Sequence, residues 1–259
     1  MKQPSIITLT TDYGLSDYYV ATLKGTLLSA TPPASIVDIT HLIPPHNIVQ
    51  AAYMLKNTYK SFPKKSLHIV DVNIDRQERS SLLLVNHQEH YFLLPDNGIV
   101  SLLFDVLPTD IFRLTKANND YSSFLKLCAK VTELLPSPED LITVGKPTRD
   151  ARTRISLQPV INPNQIRAAV IHIDHYENVI INVHKMLFEE VGGGRDFQLF
   201  FRRHDPICRL SKNYTDVEVG ETLCRFNSSG YLELAVCMGK AASLLGLQID
   251  DMIQIDFQY

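Results

Sequence analysis

The sequence has few cysteines, and they show no metal-binding pattern. Its four cysteines are Cys128, Cys208, Cys224 and Cys237, with no Cys-x-x-Cys pair and no zinc-site spacing to a histidine. The nine histidines are scattered along the chain. We therefore predict that the cysteines are reduced, buried packing residues and that the protein uses no metal ion and no bound cofactor.

An excess of positive charge and a long apolar run are also lacking. The formal net charge is -3, so no overall basic field would attract the phosphates of nucleic acid. No apolar run is long enough to span a bilayer, and the first one, at residues 6–9, is too short for a secretory signal. We find no repeat and no low-complexity tract. The expectation is a cytoplasmic protein that binds neither nucleic acid nor membrane.

The first part of the chain has the pattern of a layered α/β domain. Short β-branched runs alternate with helical periodicity, which predicts parallel strands joined by crossover helices. The predicted strands are residues 5–10, 35–40, 66–72, 81–85, 90–94 and 110–114. A helix over about residues 17–30, capped by Ser16 or Asp17, should bury Val20, Leu23, Leu27 and Leu28. A second helix, over about residues 47–59, should bury Ile48, Ala51, Ala52, Leu55 and Tyr59.

A change of pattern separates this part from the rest. Residues 144–165 contain three prolines, one glycine and a charged run at 149–152, which is typical of a linker. After it come short predicted strands at residues 167–173, 179–183, 197–201, 232–236 and 252–257, separated by Gly, Asn and Asp turns. Such a series indicates a small β-barrel or sandwich.

Four segments together resemble one known family. They are Thr-Thr-Asp-Tyr-Gly-Leu-Ser-Asp at 10–17 with Lys-Gly at 24–25, Ile-Val-Asp-Ile-Thr-His at 36–41 followed by Ile-Pro-Pro-His-Asn at 43–47, Pro-Asp-Asn-Gly at 95–98, and Ile-Asp-His-Tyr-Glu-Asn at 173–178 with Phe-Asn-Ser-Ser-Gly-Tyr-Leu-Glu at 226–233. Their order and spacing resemble the S-adenosyl-L-methionine hydroxide adenosyltransferase family, the non-halogenating relatives of fluorinase and chlorinase.

The resemblance implies both an architecture and a reaction. It implies a Rossmann-like α/β domain with a mostly parallel sheet at residues 1–150 and a small β-barrel at residues 165–259. It also implies a homotrimer that binds its substrate, S-adenosylmethionine, between the first domain of one subunit and the second domain of the next. Water or hydroxide then attacks the ribose C5′ and releases adenosine and methionine.

The resemblance implies substrate-binding roles for residues of the first domain. Asp12 follows the first predicted strand, where open parallel sheets form their ligand crevice, and its two carboxylate oxygens suit the two ribose hydroxyls. A turn or cap aspartate before Gly14 is the alternative interpretation. Asn97 would line the cleft, or serve only as a turn or cap residue before the helix that follows it.

The second domain supplies the remaining binding residues. By resemblance, Tyr176 packs on the adenine, Asn178 hydrogen-bonds the adenine edge, and Asp174 takes the methionine ammonium. Alternation at a strand end predicts that these three side chains face one side. The resemblance places Ser228 and Ser229 on the methionine carboxylate, although Asn-Ser-Ser-Gly is also an ordinary hairpin turn. Glu177 stands where the family usually has glycine, so a positive φ there would strain the backbone.

The catalytic pattern of the family is altered in this sequence. An aspartate, an arginine and a histidine handle the water in that family, and the aspartate belongs to Val-Asp-Pro-Gly-Val-Gly after the third strand. Alignment through residues 67–69 puts Asn73 at the catalytic position, where an amide orients a water but cannot act as a base. Arg79 matches the arginine if the loop is shortened. The histidine of Thr-Phe-His-Gly-Arg-Asp has no counterpart in residues 118–123.

Other residues near these positions are further candidates. His46 either faces the reacting carbon or caps the second helix. Asp71 or Asp75 would supply a substitute carboxylate, with a solvated charged loop as the competing interpretation.

Two functions therefore remain open. The leading one is an S-adenosylmethionine hydrolase that yields adenosine and methionine, with Asn73, Arg79 and His46 as catalytic candidates. The alternative is a catalytically degenerate protein that binds S-adenosylmethionine or adenosine, because the binding motifs are better kept than the water-handling ones. A halogenase is a third option, without positive support in the sequence.

Overall fold

A computed structural model describes residues 6–30, 34–73, 81–114, 120–135, 143, 145–155, 157–202 and 205–258. The chain divides into two compact units, Met1–Ser156 and Leu157–Tyr259. In the part of the chain so described, no helix is both long and apolar enough to cross a membrane.

The first unit is built on a seven-stranded sheet. Its strands are β1 (Ile6–Thr11), β2 (Ser35–Thr40), β3 (Leu67–Asp71), β4 (Leu82–His87), β5 (His90–Pro95), β6 (Asp110–Leu114) and β7 (Gly145–Pro147), in the order β2-β1-β3-β5-β4-β6-β7. β2, β1, β3 and β5 pair in parallel. β4 is antiparallel to β5 and β6, and β7 is antiparallel to β6. Only β4 and β7 therefore run against the rest, so the sheet is mostly parallel, as predicted.

Among the residues that the structure describes, four helices cover the two faces of this sheet. They are α1 (Tyr19–Ala30), α2 (Ile48–Thr58), α3 (Ile99–Leu103) and α4 (Tyr121–Leu134). One core packs against α1 and α4, and the other packs against α2 and α3. β1, β3, β4 and β5 are buried along most of their length, in agreement with their many aliphatic residues.

Both predicted helices are present, but the predicted cap of α1 is wrong, because the helix begins at Tyr19 and neither Ser16 nor Asp17 is next to its first residue. The predicted buried face of α2 is buried throughout, including Tyr59, which begins a short 3-10 turn after the helix. In α1, Leu23 and Leu27 are buried, but the predictions for Val20 and Leu28 are wrong, since Val20 is only partly buried and Leu28 is 49% exposed. Leu23 and Leu27 are four residues apart and share a face, whereas Leu28 is turned about 100° from Leu27 toward solvent.

The second unit is a curled antiparallel sheet. Its strands are β8 (Val160–Asn162), β9 (Gln165–Ile173), β10 (Val179–His184), β11 (Phe197–Phe201), β12 (Thr222–Phe226), β13 (Tyr231–Val236) and β14 (Met252–Phe257), in the order β11-β14-β9-β10-β13-β12 with β8 beside β9. Helices α5 (Lys185–Gly192) and α6 (Ala241–Leu245) complete it. The edge strands are β11 and β12. Leu199 of β11 pairs with Ile207, and Cys224 of β12 pairs with Leu210, so one segment connects the two edges. The sheet is therefore a half-barrel with an indirect connection between its edges.

The cysteines follow the prediction at three positions. Cys128, Cys224 and Cys237 are free and buried, and burial raises the pKa of the Cys224 thiol to about 12. The prediction is wrong for Cys208, which is exposed. Ile207, its neighbour, pairs with Leu199, and successive side chains of an extended segment point to opposite sides.

Candidate functional site

Polar residues of the first unit collect at the carboxyl ends of β1 and β3. Thr11 of β1 lies opposite Asp71 of β3, so Asp12 follows at the same edge. The Asp12 carboxylate accepts hydrogen bonds from the backbone nitrogens of His46, at 2.9 Å, and of Asn73, at 3.4 Å. The structure thus brings together Asp12, His46 and Asn73, which are far apart in the sequence. Asp12 therefore holds the loops of His46 and Asn73 in place, which is more than the local role of a turn or cap aspartate.

Asn97 joins the same cluster through its side chain. Its amide nitrogen donates to the carbonyl oxygens of Val72 and Asn73, both at 3.0 Å. Its side-chain oxygen accepts from the backbone nitrogen of Ile99 at 3.2 Å, at the start of α3. Asn97 is therefore the turn residue that the sequence allowed, since the cap position of α3 is Gly98, and it also supports the loop after β3.

Two residues of this cluster adopt a left-handed backbone conformation. The φ angle is 67° at His46 and 50° at Asn73. Residues other than glycine adopt this region rarely, and asparagine and histidine are among those that tolerate it best. Strained positions of this kind gather at functional sites. Among the sequence candidates, Arg79 lies outside the described residues, so its role stays a prediction.

Asp71 is a buried carboxylate at the edge of this cluster. It is 6% exposed and accepts a hydrogen bond from the hydroxyl of Tyr13, which lies 58 residues away in the sequence. The Tyr13 ring packs against Tyr19, at 5.6 Å between ring centroids, and against Tyr121, at 5.8 Å. Burial, with the nearby charge of Asp71, raises the pKa of Tyr121.

From the sequence, Asp71 is only a candidate substitute carboxylate, and the three tyrosines are not among the candidate residues. A carboxylate at the end of a strand rich in apolar residues was the signal that marked Asp71, because such a group needs a partner when it is buried. No local pattern links Tyr13 with Tyr121, which comes from α4.

A second polar chain braces β1 against β2. The His41 ring accepts or donates at Nδ1 to the Thr11 hydroxyl, at 2.8 Å, and its Nε2 lies 3.1 Å from the Asp38 carboxylate. Lys24 of α1 contacts the same carboxylate at 2.6 Å. Partial burial opposes ionisation of Asp38, but hydrogen bonds from Lys24 and His41 hold its pKa below the usual range. These motif residues thus stabilise the strand ends beside Asp12.

In the second unit, Asp174 organises a tight turn between β9 and β10. One carboxylate oxygen accepts from the backbone nitrogens of Tyr176, at 2.9 Å, and Asn178, at 2.8 Å. The other accepts from the Asn178 side-chain amide at 2.9 Å. The predicted alternation on a strand is therefore wrong, because β9 ends at Ile173 and β10 begins at Val179. An aspartate that bonds to following backbone groups favours a turn over continued extension.

This turn leaves its candidates in different surroundings. Tyr176 is 74% exposed, whereas Asn178 is buried. An exposed aromatic ring beside a fixed amide suits a flat heterocycle, because the ring offers a stacking face and the amide offers hydrogen bonds.

Glu177 confirms the expectation of backbone strain. Its φ angle is 63°, in the region that glycine adopts at no steric cost. Its carboxylate accepts from the backbone nitrogen of Ser243 at 3.1 Å and from the Ser243 hydroxyl, and lies 3.0 Å from the Lys240 ammonium. Its carbonyl accepts from Ala242 at 2.9 Å. Glu177 therefore caps the start of α6, and this contact offsets the strain.

Ser228 and Ser229 lie in the turn between β12 and β13. The Asn227 side chain accepts from the backbone nitrogens of Ser229 and Tyr231, each at 3.0 Å. The hairpin-turn interpretation is thus correct, and it leaves the two serines at the tip, with Ser228 exposed. Their predicted contact with a methionine carboxylate stays a prediction.

A buried acid that sequence reasoning missed lies next to this turn. Glu233 is 3% exposed and accepts a hydrogen bond from the Tyr214 hydroxyl at 2.8 Å, while the guanidinium of Arg225 lies 4.5 Å from the Tyr214 ring centroid. Burial raises the pKa of Glu233. Burial and this hydrogen bond raise the pKa of Tyr214 to about 12. Alternation along β13 was the available signal, since it places Glu233 opposite Arg225 of β12.

The similarity to known proteins extends over both units. Residues 7–127 match the SAM hydroxide adenosyltransferase N-terminal domain, and residues 168–254 match the C-terminal domain of the same family. An (R)-S-adenosyl-L-methionine hydrolase of Methanocaldococcus jannaschii is 29% identical, over 96% of this chain and 95% of the relative. A fluorinase of Nocardia brasiliensis is 21% identical, over 89% of each chain.

A solved structure also matches along the whole length. It is that of an uncharacterized conserved protein from Thermotoga maritima, with a TM-score of 0.85 and 26% identity, covering 97% of this chain and 99% of that one. The two domain matches follow each other in chain order and span most of the sequence. This chain therefore belongs to the S-adenosyl-L-methionine hydroxide adenosyltransferase family.

Proposed function

We propose that the protein hydrolyses S-adenosylmethionine to adenosine and methionine. The observation that carries this proposal is the pair of carboxylates at one sheet edge. Asp12 is fixed by two backbone amides, and Asp71 is buried at the adjacent strand end. Open α/β sheets bind ligands at this edge, and one carboxylate suits a ribose diol while the other suits a reacting water.

The second unit would bind the two ends of the substrate. We assign the adenine to Tyr176 and Asn178, which offer a stacking face and a fixed amide. The methionine ammonium is assigned to Asp174, and its carboxylate to Ser228 and Ser229. These five residues lie in two turns whose backbone is held by side-chain hydrogen bonds, from Asp174 in one turn and Asn227 in the other. This limits the entropy cost of ordering the site when the substrate binds.

The proposal includes an assembly. By family resemblance, the protein forms a homotrimer in which the Rossmann-like unit of one subunit and the β-barrel unit of the next contribute to each site. Closed cyclic assemblies of this kind use the same pair of surfaces at every interface.

Asp71, rather than Asn73, is the better candidate for the carboxylate that handles water. β3 ends with Val70 and Asp71, which match Val-Asp at the start of the family motif. Asn73 then takes the place of the motif glycine, and its φ of 50° is a conformation that glycine favours. Asn73 would shape the loop through its backbone amide on Asp12, and His46 would do the same from the opposite loop.

The chemistry needs little more than orientation and removal of one proton. The water oxygen forms a bond to C5′ while the bond from C5′ to sulfur breaks, and the sulfur keeps the electron pair to become the neutral thioether of methionine. The proton lost by the water passes to Asp71 and then to solvent. Because the sulfonium is a good leaving group, in-line positioning and exclusion of bulk water supply most of the acceleration.

A non-catalytic ligand-binding protein is the second candidate. It is favoured by the sequence before α4, where residues 118–123 lack the histidine that the family uses. Such a protein would bind S-adenosylmethionine or adenosine through the same residues without turning it over.

The test is to incubate the purified protein with each sulfonium epimer of S-adenosylmethionine and to quantify adenosine and methionine by chromatography. Both epimers are needed because the archaeal relative is named for the (R) form. We expect equimolar products, and a loss of roughly a hundredfold or more in kcat for Asp71→Asn, which removes a general base. Asp105→Asn changes an exposed aspartate and is the matched control.

Each outcome separates the candidates. Binding by calorimetry without product would favour the second function. If the protein shows neither binding nor turnover, both candidate functions are contradicted. A product that depends on added halide would indicate a halogenase. Full activity of Asp71→Asn would overturn the assignment of Asp71.

A further inference from the structure

The Asp71 carboxylate receives a hydroxyl donor from a different part of the chain. Asp71 ends β3, and Tyr13 follows β1, so the two groups meet only because β1 and β3 are neighbours in the sheet. Asp71 is almost fully buried. A carboxylate in such a place is ionised at neutral pH only when donors or charges compensate for lost water. A donor on one oxygen also sets the direction in which the second oxygen points.

Aromatic packing restricts the Tyr13 ring. Tyr19 at the start of α1 lies 5.6 Å from it, and Tyr121 at the start of α4 meets it edge to face at 5.8 Å. The Tyr121 hydroxyl donates to the backbone oxygen of Tyr19 at 2.6 Å, which joins the starts of the two helices. The hydroxyl that reaches Asp71 is thus carried on a ring held from two sides, and a preorganised donor loses little entropy when it bonds.

We propose that Tyr13 is a positioning residue for the hydrolytic reaction, holding the Asp71 carboxylate ionised and aimed at the attacking water. This inference rests on the proposed function and on Asp71 as the group that receives the proton. Tyr13 keeps its own proton throughout. The water proton goes to Asp71 as the C5′ oxygen bond forms and the C5′ sulfur bond breaks.

The aromatic cluster around Tyr13 contains further ionisable groups, and the test has to separate them from Tyr13. Tyr19 comes from α1 and Tyr121 from α4, and the charge of Asp71 acts on Tyr121. Burial raises the pKa of Tyr121, so this phenol stays protonated at the pH values at which a carboxylate titrates.

The experiment compares Tyr13→Phe with the wild-type protein in steady-state kinetics between pH 4 and pH 9. The substitution removes the hydroxyl that donates to Asp71 and leaves the aromatic ring and its packing in place. We expect kcat to fall roughly ten- to hundredfold, as for the loss of a hydrogen bond to a charged group, with KM for S-adenosylmethionine changed less than twofold. The acid limb of the kcat/KM profile should move upward by roughly one pH unit, because the ionised carboxylate has lost a stabilising donor.

Tyr121→Phe is the matched control. It removes a hydroxyl from the same aromatic cluster, but this hydroxyl donates to the backbone carbonyl of Tyr19 and not to Asp71. The control should lower thermal stability and leave the acid limb at its wild-type position. An equal shift of the limb in both variants would show a general packing effect and would overturn the proposal.

A second readout does not depend on turnover. The carboxyl carbon of Asp71, assigned in ¹³C spectra by means of Asp71→Asn, is titrated in wild type and in Tyr13→Phe. A higher titration midpoint in Tyr13→Phe than in the wild type supports the contact between Tyr13 and Asp71. This holds even if the wild-type protein is inactive, because inactivity contradicts only the proposed function. Equal midpoints with unchanged kcat would contradict the inference while leaving the proposed function intact.

Discussion

His68 lies in the middle of β3 and is fully buried. Its Nδ1 is 2.8 Å from the Thr8 hydroxyl on β1, and its Nε2 is 3.1 Å from Nδ1 of His90 on β5. The rings of Tyr59 and Phe92 lie within about 6 Å of it. Burial, with a smaller effect of His90, lowers the pKa of His68 to about 3. The folded protein therefore holds this imidazole neutral.

The lowered pKa makes stability depend on pH with a definite sign. Between the ordinary pKa of 6.5 and the folded value of about 3, the unfolded chain binds a proton that the folded chain does not. Stability is therefore lost as the pH falls through this window. From pH 7 to pH 5, protonation of the unfolded state alone costs about 2 kcal/mol for a single group with these two pKa values.

The assay is urea unfolding at pH 7 and pH 5 at one fixed protein concentration, since an oligomer's stability depends on concentration. The perturbation is the double variant Thr8→Val with His68→Phe, because His68→Phe alone would leave the buried Thr8 hydroxyl without its partner. The wild-type protein should lose roughly 2 kcal/mol more than the double variant between the two pH values.

The exposed His175 supplies the control, and His175→Gln should follow the wild-type protein. His90 contacts His68 directly, so the comparison is repeated with His90→Phe in both proteins, and the remaining difference reports His68. If the double variant and the wild type lose the same stability between pH 7 and pH 5, the account of His68 as a buried neutral group is refuted.

Three further predictions concern the site and its surroundings. Asp12→Asn should lower kcat/KM for S-adenosylmethionine roughly ten- to hundredfold, measured by adenosine release, because one charged acceptor for the ribose is lost; an unchanged value would remove Asp12 from the site. Glu177→Gly should melt roughly 2–4 °C above Glu177→Ala in calorimetry, because both lose the cap of α6 but only alanine keeps the strain of a positive φ; equal melting temperatures would contradict this. If each site combines two subunits, co-expressed Asp12→Ala and Asn178→Ala subunits should recover about a quarter of wild-type turnover. Random mixing in a ring leaves about that share of the sites with both residues intact. No recovery would place each site within one chain.

Much of the fold was predictable because its signals are local. β2, β6, β11 and β14 have the predicted bounds, and the other predicted strands differ from prediction by one or two residues at an end. Buried strands and amphipathic helices carry their periodicity in consecutive residues. By contrast, β7, β8 and β12 were not predicted. β7 and β8 are three residues long, and β12 interrupts its apolar residues with Arg225, so pairing with neighbouring strands decides their conformation.

The site was predictable only where a motif is contiguous. Asp12 and Asn97 follow from their neighbours in sequence, and the strain at Glu177 follows from the glycine that the family has there. The turn made by Asp174 was missed because alternation applies only while the strand continues, and a side-chain hydrogen bond to the backbone ended it.

The family, most of the strands and the first two helices could be assigned from the sequence alone. Only the tertiary structure decided that Tyr13 meets Asp71, that Asp12 holds the loops of His46 and Asn73, and that His68 is buried neutral. Each of these contacts joins segments distant in the chain. They depend on which strands pair and in which register, and no local periodicity contains that information.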